Sequence, residues 1–459
     1  MTDIRRGGLG RIAKLASLPA GVAGRAALGM GKRMTGKSKE EVNAELLDKA
    51  AGEVFRVLGE LKGGAMKVGQ ALSVMEAAIP PRFADPFRDA LVKLQSEAPP
   101  LPAAKVHRVL DAQLGTKWRE RFQSFDDKPV ASASIGQVHR GVWRDGRVVA
   151  VKIQYPGADE ALRADLKLIQ RFTWVIKQVA PRLDVDRIVA EVSERVEAEL
   201  DYRQEAEYQR TFAKGFAGDP KFSVPAVVAS APKVIISEWM AGRRLSTLIA
   251  DGAQDERDAA CALLLEFAVS SPARVGLLHA DPHPGNFMVL ADGRLGVIDF
   301  GAVSEHPGGF PPEFAELLCW ARDEQWDEVV RLLKKLGFMA GDYQLTAEQL
   351  VEYLGPLWAY IDPLRAGRFH FTREWFQKSA LATSDPFADG FADRFKVALH
   401  LTIPPGLAML LRTLGGLLGV AVQLDATVDY AALIERWAPG FFPPGEFPKR
   451  SPNGSGPSA

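Results

Sequence analysis

The stretch HADPHPGNF, His279–Phe287, decides how this chain is read. Pro282, Pro284 and Gly285 deny it a continuous helix or strand, so it is a loop. It sets Asp281 and Asn286 five residues apart. Two short apolar runs follow, "NFMVL" and "LGVIDF", joined at Ala291-Asp292-Gly293. An Asp-Gly pair between apolar runs favours a tight turn between strands. A hairpin there carries the chain back to the loop and delivers Asp299, the first residue of "DFG", beside Asn286.

Two hard oxygen donors gathered in this way suit Mg²⁺, which uses few protein ligands and completes its shell with phosphate oxygens and water. Asn286 and Asp299 are therefore the expected metal ligands. Asp281 is the expected catalytic group, as a base or as an orienting residue. Phosphoryl transfer asks mainly that a triphosphate be held and its charge offset. "VVAVKIQ" places Lys152 on an apolar strand, where an ammonium is costly without an anionic partner. Its protein partner is sought in "EAELDYRQEAE". Glu199 and Glu205 lie about 600° apart on one predicted helix, so Glu199 is expected to hold Lys152 while Glu205 reaches the metal region. No Gly-x-Gly-x-x-Gly precedes Lys152. "ASASIGQVH" stands in its place. Ala131, Ser132, Ala133, Ser134, Ile135, Gly136, Gln137 and Val138 are expected to contact nucleotide there, in a turn stiffer than a glycine loop because alanine resists φ > 0. Glu238 and Met240, in "SEWM", complete the expected nucleotide-binding set.

The chain has 459 residues, 47% apolar and 25% charged, with no formal net charge. Such bulk electrostatics point to no nucleic acid, and the length suggests several units. Cys261 and Cys319 have no metal-ligand spacing and read as buried thiols in a reduced cytosol. Residues 1–40 form a basic leader, expected to be flexible and to touch the inner face of the membrane peripherally, since anionic lipid attracts clustered Lys and Arg. Residues 41–125 read as a helical extension, 126–241 as a β-rich lobe with long helices, 242–440 as a larger helical lobe, and 441–459 as a disordered tail. The apolar segment Ile403 to Leu424 contains Arg412, a Pro pair and a Gly pair. A membrane span wants about 20 apolar residues without charge, so a buried helix or helical hairpin is expected.

The order of the parts resembles a bilobal protein kinase, whose catalytic loop has the same Asp-to-Asn interval and whose metal site has the same Asp-Phe-Gly. Here His283 replaces the usual loop lysine. Six motifs in order make the likeness more specific: "KVGQ" at Lys67–Gln70, "ASASIGQVH", "VAVK", "ELD" at Glu199–Asp201, "HADPHPGN" and "DFG". Together they resemble the UbiB/ADCK family of atypical kinase-like proteins, and the start of the chain looks like its actinobacterial members. The resemblance implies an α+β, mostly helical, kinase-like fold with an N-terminal helical extension over the active site. It implies ATP and Mg²⁺ as cofactors, ATPase activity, and a lipid, isoprenoid or quinone-pathway small molecule as partner. Lys67 and Gln70 would then enter the space where a peptide docks and act on catalysis. A small-molecule kinase of the aminoglycoside or choline type is the first rival, because His283 fits its loop. A nucleotide-switched scaffold is the second.

Overall fold

The computed structural model describes residues 101–133, 135–160, 163, 200–339, 343–354, 361–384 and 400–443. The leader, Lys67, Gln70, Ser134, Glu199 and the tail beyond residue 443 lie outside the described residues.

The first lobe is an antiparallel sheet in the order β1 (Phe122–Phe125), β3 (Gly136–Trp143), β4 (Val148–Gln154), β7 (Val234–Glu238), β6 (Val227–Ala231), with β2 (Ala131–Ala133) also paired to β3. Alternation along β4 sorts its two faces. Val149, Val151 and Ile153 are fully buried on one face, while Ala150 and Lys152 look to the other. Helix α1 (Ala103–Leu114) covers the apolar face with Val106 and Leu110, and Trp118 fills the adjoining space. Helix α1 and β1 thus belong to this lobe's core, upstream of the start expected at residue 126. The turn between β3 and β4 is a hairpin at Asp145-Gly146, with Gly146 at φ 91°.

Helix α2 (Tyr202–Gly215) does not continue from residue 199 as predicted. Asp201 has extended backbone, φ −114° and ψ 99°, and its carboxylate caps the helix by accepting from the Arg203 amide at 2.9 Å. Such a cap satisfies an amide that has no partner within the helix, so a new helix begins there. The rotation argument that placed Glu199 and Glu205 on one helix therefore fails. Glu205 sits in the first turn of α2.

The second lobe opens with a four-stranded sheet in the order β5 (Phe222–Ser223), β11 (Leu295–Val297), β10 (Phe287–Leu290), β8 (Gly242–Arg244). Helices α3 (Leu245–Asp251) and α4 (Gln254–Val275) follow β8, and α4 runs through the largest apolar core. Gly276, at φ 69°, ends α4 and turns the chain into β9 (Leu277–His279), which pairs with β12 (Val303–Glu305). Those two strands frame the HADPHPGN loop and Asp299. Helices α5 (Pro312–Arg322), α6 (Trp326–Lys335), α7 (Ala347–Leu354), α8 (Asp362–Arg365), α9 (Arg373–Ser384), α10 (Pro405–Gln423) and α11 (Tyr430–Trp437) complete the lobe. The apolar segment is one helix, α10, and not a hairpin. Its window Gly406–Gln423 is long and apolar enough to cross a membrane, but more than half of it is buried against the protein. Cys261 and Cys319 are both buried free thiols.

Candidate active site

Lys152 reaches from β4 across the gap between the lobes. Its Nζ donates to Glu205 Oε1 at 2.7 Å and to Asp299 Oδ2 at 3.2 Å. The Lys152 side chain is 15% exposed and that of Glu205 8%. Burial pushes such an ammonium down, but Asp299 and Glu205 outweigh it and hold Lys152 well above the usual lysine range. The lysine's partner is thus Glu205, the residue expected at the metal. Both readings of its neighbourhood meet here, because the Glu205 carboxylate also comes close to Gly301 of the Asp-Phe-Gly turn.

The catalytic loop is held from several sides. His279 is buried and its Nε2 donates to the Asp299 carbonyl at 2.5 Å, so the loop's first residue fixes the backbone at the start of the Asp-Phe-Gly turn. Burial pushes His279 down, which keeps it neutral and suits this single donation. Asn286 Nδ2 donates to Asp281 Oδ2 at 3.0 Å and to the Asp281 carbonyl at 3.2 Å. This orients Asp281 and commits the amide's donor, leaving its Oδ1 as the metal-type oxygen. The hairpin closes as predicted: the Ile298 amide bonds the Asn286 carbonyl at 3.0 Å. Asp299 Oδ1 accepts from the Gly301 amide at 2.9 Å. His283 Nδ1 accepts from the Gly285 amide at 3.1 Å, and burial pushes it down. The residue in the usual lysine's place is therefore a neutral imidazole that shapes the turn.

A cleft of about 370 Å³ runs between Lys152 and the β7–β8 connection. That is within the size range of small-ligand sites. Of the residues expected to contact nucleotide, Ala131, Val138, Lys152, Glu238 and Met240 line it. The carboxylate of Glu238 itself is taken by Arg147 Nη1 at 3.0 Å. Two expectations are corrected. Ile135 is buried in an apolar cluster with Leu200 and Tyr202. Gln137 is 1% exposed and lies on the opposite face of β3, because strand alternation puts it across from Ile153 while Val138 faces Lys152. Gly136 is required by contact: a Cβ there would stand 2.3 Å from the Ile153 carbonyl oxygen. Ser132 and Ala133 lie in β2, outside the cleft wall.

The sequence reading missed four contributors. Gln209, one turn beyond Glu205, donates to the Pro225 carbonyl at 2.7 Å and to Ser237 Oγ at 2.9 Å at the back of the cleft. Met288 and Ile298 form part of its wall in the second lobe. Arg412, noted only as a charge in an apolar segment, donates from α10 to the Ala280 carbonyl at 2.9 Å, next to Asp281.

The profile of the ABC1 atypical kinase-like domain matches residues 93–333, just over half of the chain. The chain belongs to that family. Relatives include "Atypical kinase COQ8B, mitochondrial" of Danio rerio, 30% identical over 72% of this chain and 54% of that protein. "Protein ACTIVITY OF BC1 COMPLEX KINASE 3, chloroplastic" of Arabidopsis thaliana is 30% identical over 83% of this chain and 51% of that protein. The chain thus spans about half the length of these curated ABC1 relatives. A solved structure, "The complex structure of Rv3197-erythromycin from Mycobacterium tuberculosis", is 53% identical with a TM-score of 0.66. The likeness covers 88% of this chain and 99% of that one. The ABC1 assignment carries the kinase-like α+β fold, and with it membership of the UbiB/ADCK group.

Proposed function

We propose that this chain binds Mg-ATP in the cleft and hydrolyses it, or passes its γ-phosphoryl group to a small non-protein acceptor in lipid or quinone metabolism. The observation that carries the reading is the Lys152–Glu205–Asp299 cluster, joining both lobes beside the Asn286–Asp281 pair. Names such as COQ8B among the relatives support the quinone direction.

The residues present fit a magnesium ion that arrives with phosphate. Among the described residues no three His, Cys, Asp or Glu side chains gather as a complete metal cage. Asp299 and the free oxygen of Asn286 offer the one or two protein ligands that such an ion takes. When bound, Mg²⁺ would neutralise phosphate charge. Lys152 supplies the fixed positive charge for the phosphates, and Glu205 holds it in position. Asn286 orients Asp281 toward the acceptor oxygen. Val138 and Met288 give the cleft apolar wall on both lobes, suited to the flat face of an adenine ring.

The test is turnover by the full chain with ATP and Mg²⁺ alone. Slow release of ADP and phosphate without an acceptor is expected. Turnover that appears only with an added aminoglycoside or choline would favour a small-molecule kinase. Nucleotide binding without any turnover would favour a scaffold. A second reading, binding of a macrolide, is supported by the erythromycin complex of the 53%-identical relative. Saturable binding of erythromycin, measured by titration, would support it.

A further inference from the structure

Gln137 and His139 belong to the alanine-rich motif, yet both turn away from the cleft. Gln137 is 1% exposed and His139 is fully buried, on the face of β3 that α1 covers. Donor and acceptor accounting fixes every atom between them. The Leu101 amide can only donate, and it meets Gln137 Oε1 at 2.9 Å. The Gln137 amide nitrogen therefore faces His139 Nε2, at 2.8 Å, which must be the unprotonated acceptor. The proton then lies on Nδ1, which donates to the Asp126 carbonyl at 2.8 Å. Phe125 stacks on the ring with centroids 5.1 Å apart. Only a neutral His139 completes this chain. A second proton would set Nε2–H against the Gln137 NH₂. Turning the Gln137 amide to accept it would set that NH₂ against the Leu101 amide.

We propose that Gln137 and His139 are positioning residues. Through this relay they bind the alanine-rich turn to the chain at Leu101, so that the nucleotide-facing side of β3 stays in place only while the link to Leu101 is intact. The cleft residues Ala131 and Val138 flank the relay along the same hairpin, and Ala131 pairs directly with Val138. Strain on Gln137 is therefore felt one residue away at the cleft wall.

The relay also makes the link sensitive to acid. Burial pushes His139 down from the usual histidine value, the Asp126 carbonyl and the carboxylates Asp127 and Asp126 work upward, and His107 works downward. A histidine lowered in the folded state costs nothing above about pH 6.5, and the link weakens as pH falls below it.

This inference rests on the Mg-ATP reading for its kinetic arm alone. The test uses the full chain and the variants Gln137→Leu, Gln137→Glu and His139→Asn. Hydrogen exchange is followed at the Leu101 amide and at residues 131–138 between pH 7.5 and 5.5, corrected for intrinsic rates, alongside KM and kcat for ATP. In Gln137→Leu the Leu101 amide should exchange about tenfold faster, as loss of one buried hydrogen bond implies. KM should rise while kcat holds. The wild type should show an acid-side rise in exchange that His139→Asn lacks. Gln137→Glu, whose carboxylate can accept from both Leu101 and a protonated His139, should restore slow exchange at pH 5.5. Unchanged Leu101 exchange in Gln137→Leu, or the same acid-side rise in all variants, would overturn the proposal even if no ATP were turned over. Faster exchange with unchanged KM would overturn its claim on the cleft.

Discussion

Asp299→Asn should leave the chain folded and remove about a thousandfold of ATP turnover, equivalent to about 4 kcal/mol of transition-state stabilisation. The amide has the same shape, so the bond from the Gly301 amide to the side-chain oxygen survives. His279 bonds the Asp299 backbone carbonyl, which the substitution does not touch. Lys152 keeps its shorter contact to Glu205. What disappears is the negative charge at the position proposed to hold Mg²⁺, where a hard anionic ligand offsets the cation's loss of water. Phosphate release and a thermal melt read the two consequences separately. Near-wild-type turnover would remove Asp299 from the metal site.

Lys152→Met should cost both stability and activity, because the ammonium serves two purposes. Glu205 would remain as a carboxylate with only 8% of its side chain exposed and without its 2.7 Å partner. Removing one member of a buried ion pair costs about 3–5 kcal/mol. Turnover should fall by about a hundredfold or more through loss of the phosphate-facing charge. The double variant Lys152→Met with Glu205→Gln separates the two. Neutralising the Glu205 carboxylate should recover much of the lost melting temperature without recovering turnover. If activity returned together with stability, Lys152 would be a structural residue only.

The parts of the site that local pattern controls were legible in the sequence. The hairpin from Asn286 to Asp299 follows from two apolar runs and one Asp-Gly turn. The inward placement of Val149, Val151 and Ile153 follows from alternation, which also leaves Lys152 on the cleft face. The partner of Lys152 was misread because one helix was drawn through both Glu199 and Glu205. The signal against it was present: Asp201 followed three residues later by Gln204 has the pattern of a helix start. Gln137 was misassigned because the whole run from Ala131 to Val138 was given to the nucleotide without regard to strand phase. Alternation from Val138 would have turned it away. Other features had no local signal at all. Arg412 meets Ala280 across 132 residues of chain, and Gln209 meets Ser237 only after α2 docks on the sheet. Such contacts depend on how elements pack, and a single sequence does not carry that information in its spacing.

The most direct measurement is calorimetric titration of ATP into the full-length protein, once with Mg²⁺ and once with excess EDTA, repeated with Lys152→Met. Binding by the wild type should be about tenfold or more tighter with Mg²⁺, and the variant should lose most of it. Equal affinity with and without Mg²⁺, or undiminished binding by Lys152→Met, would contradict an Mg-ATP site built on Lys152, Asn286 and Asp299.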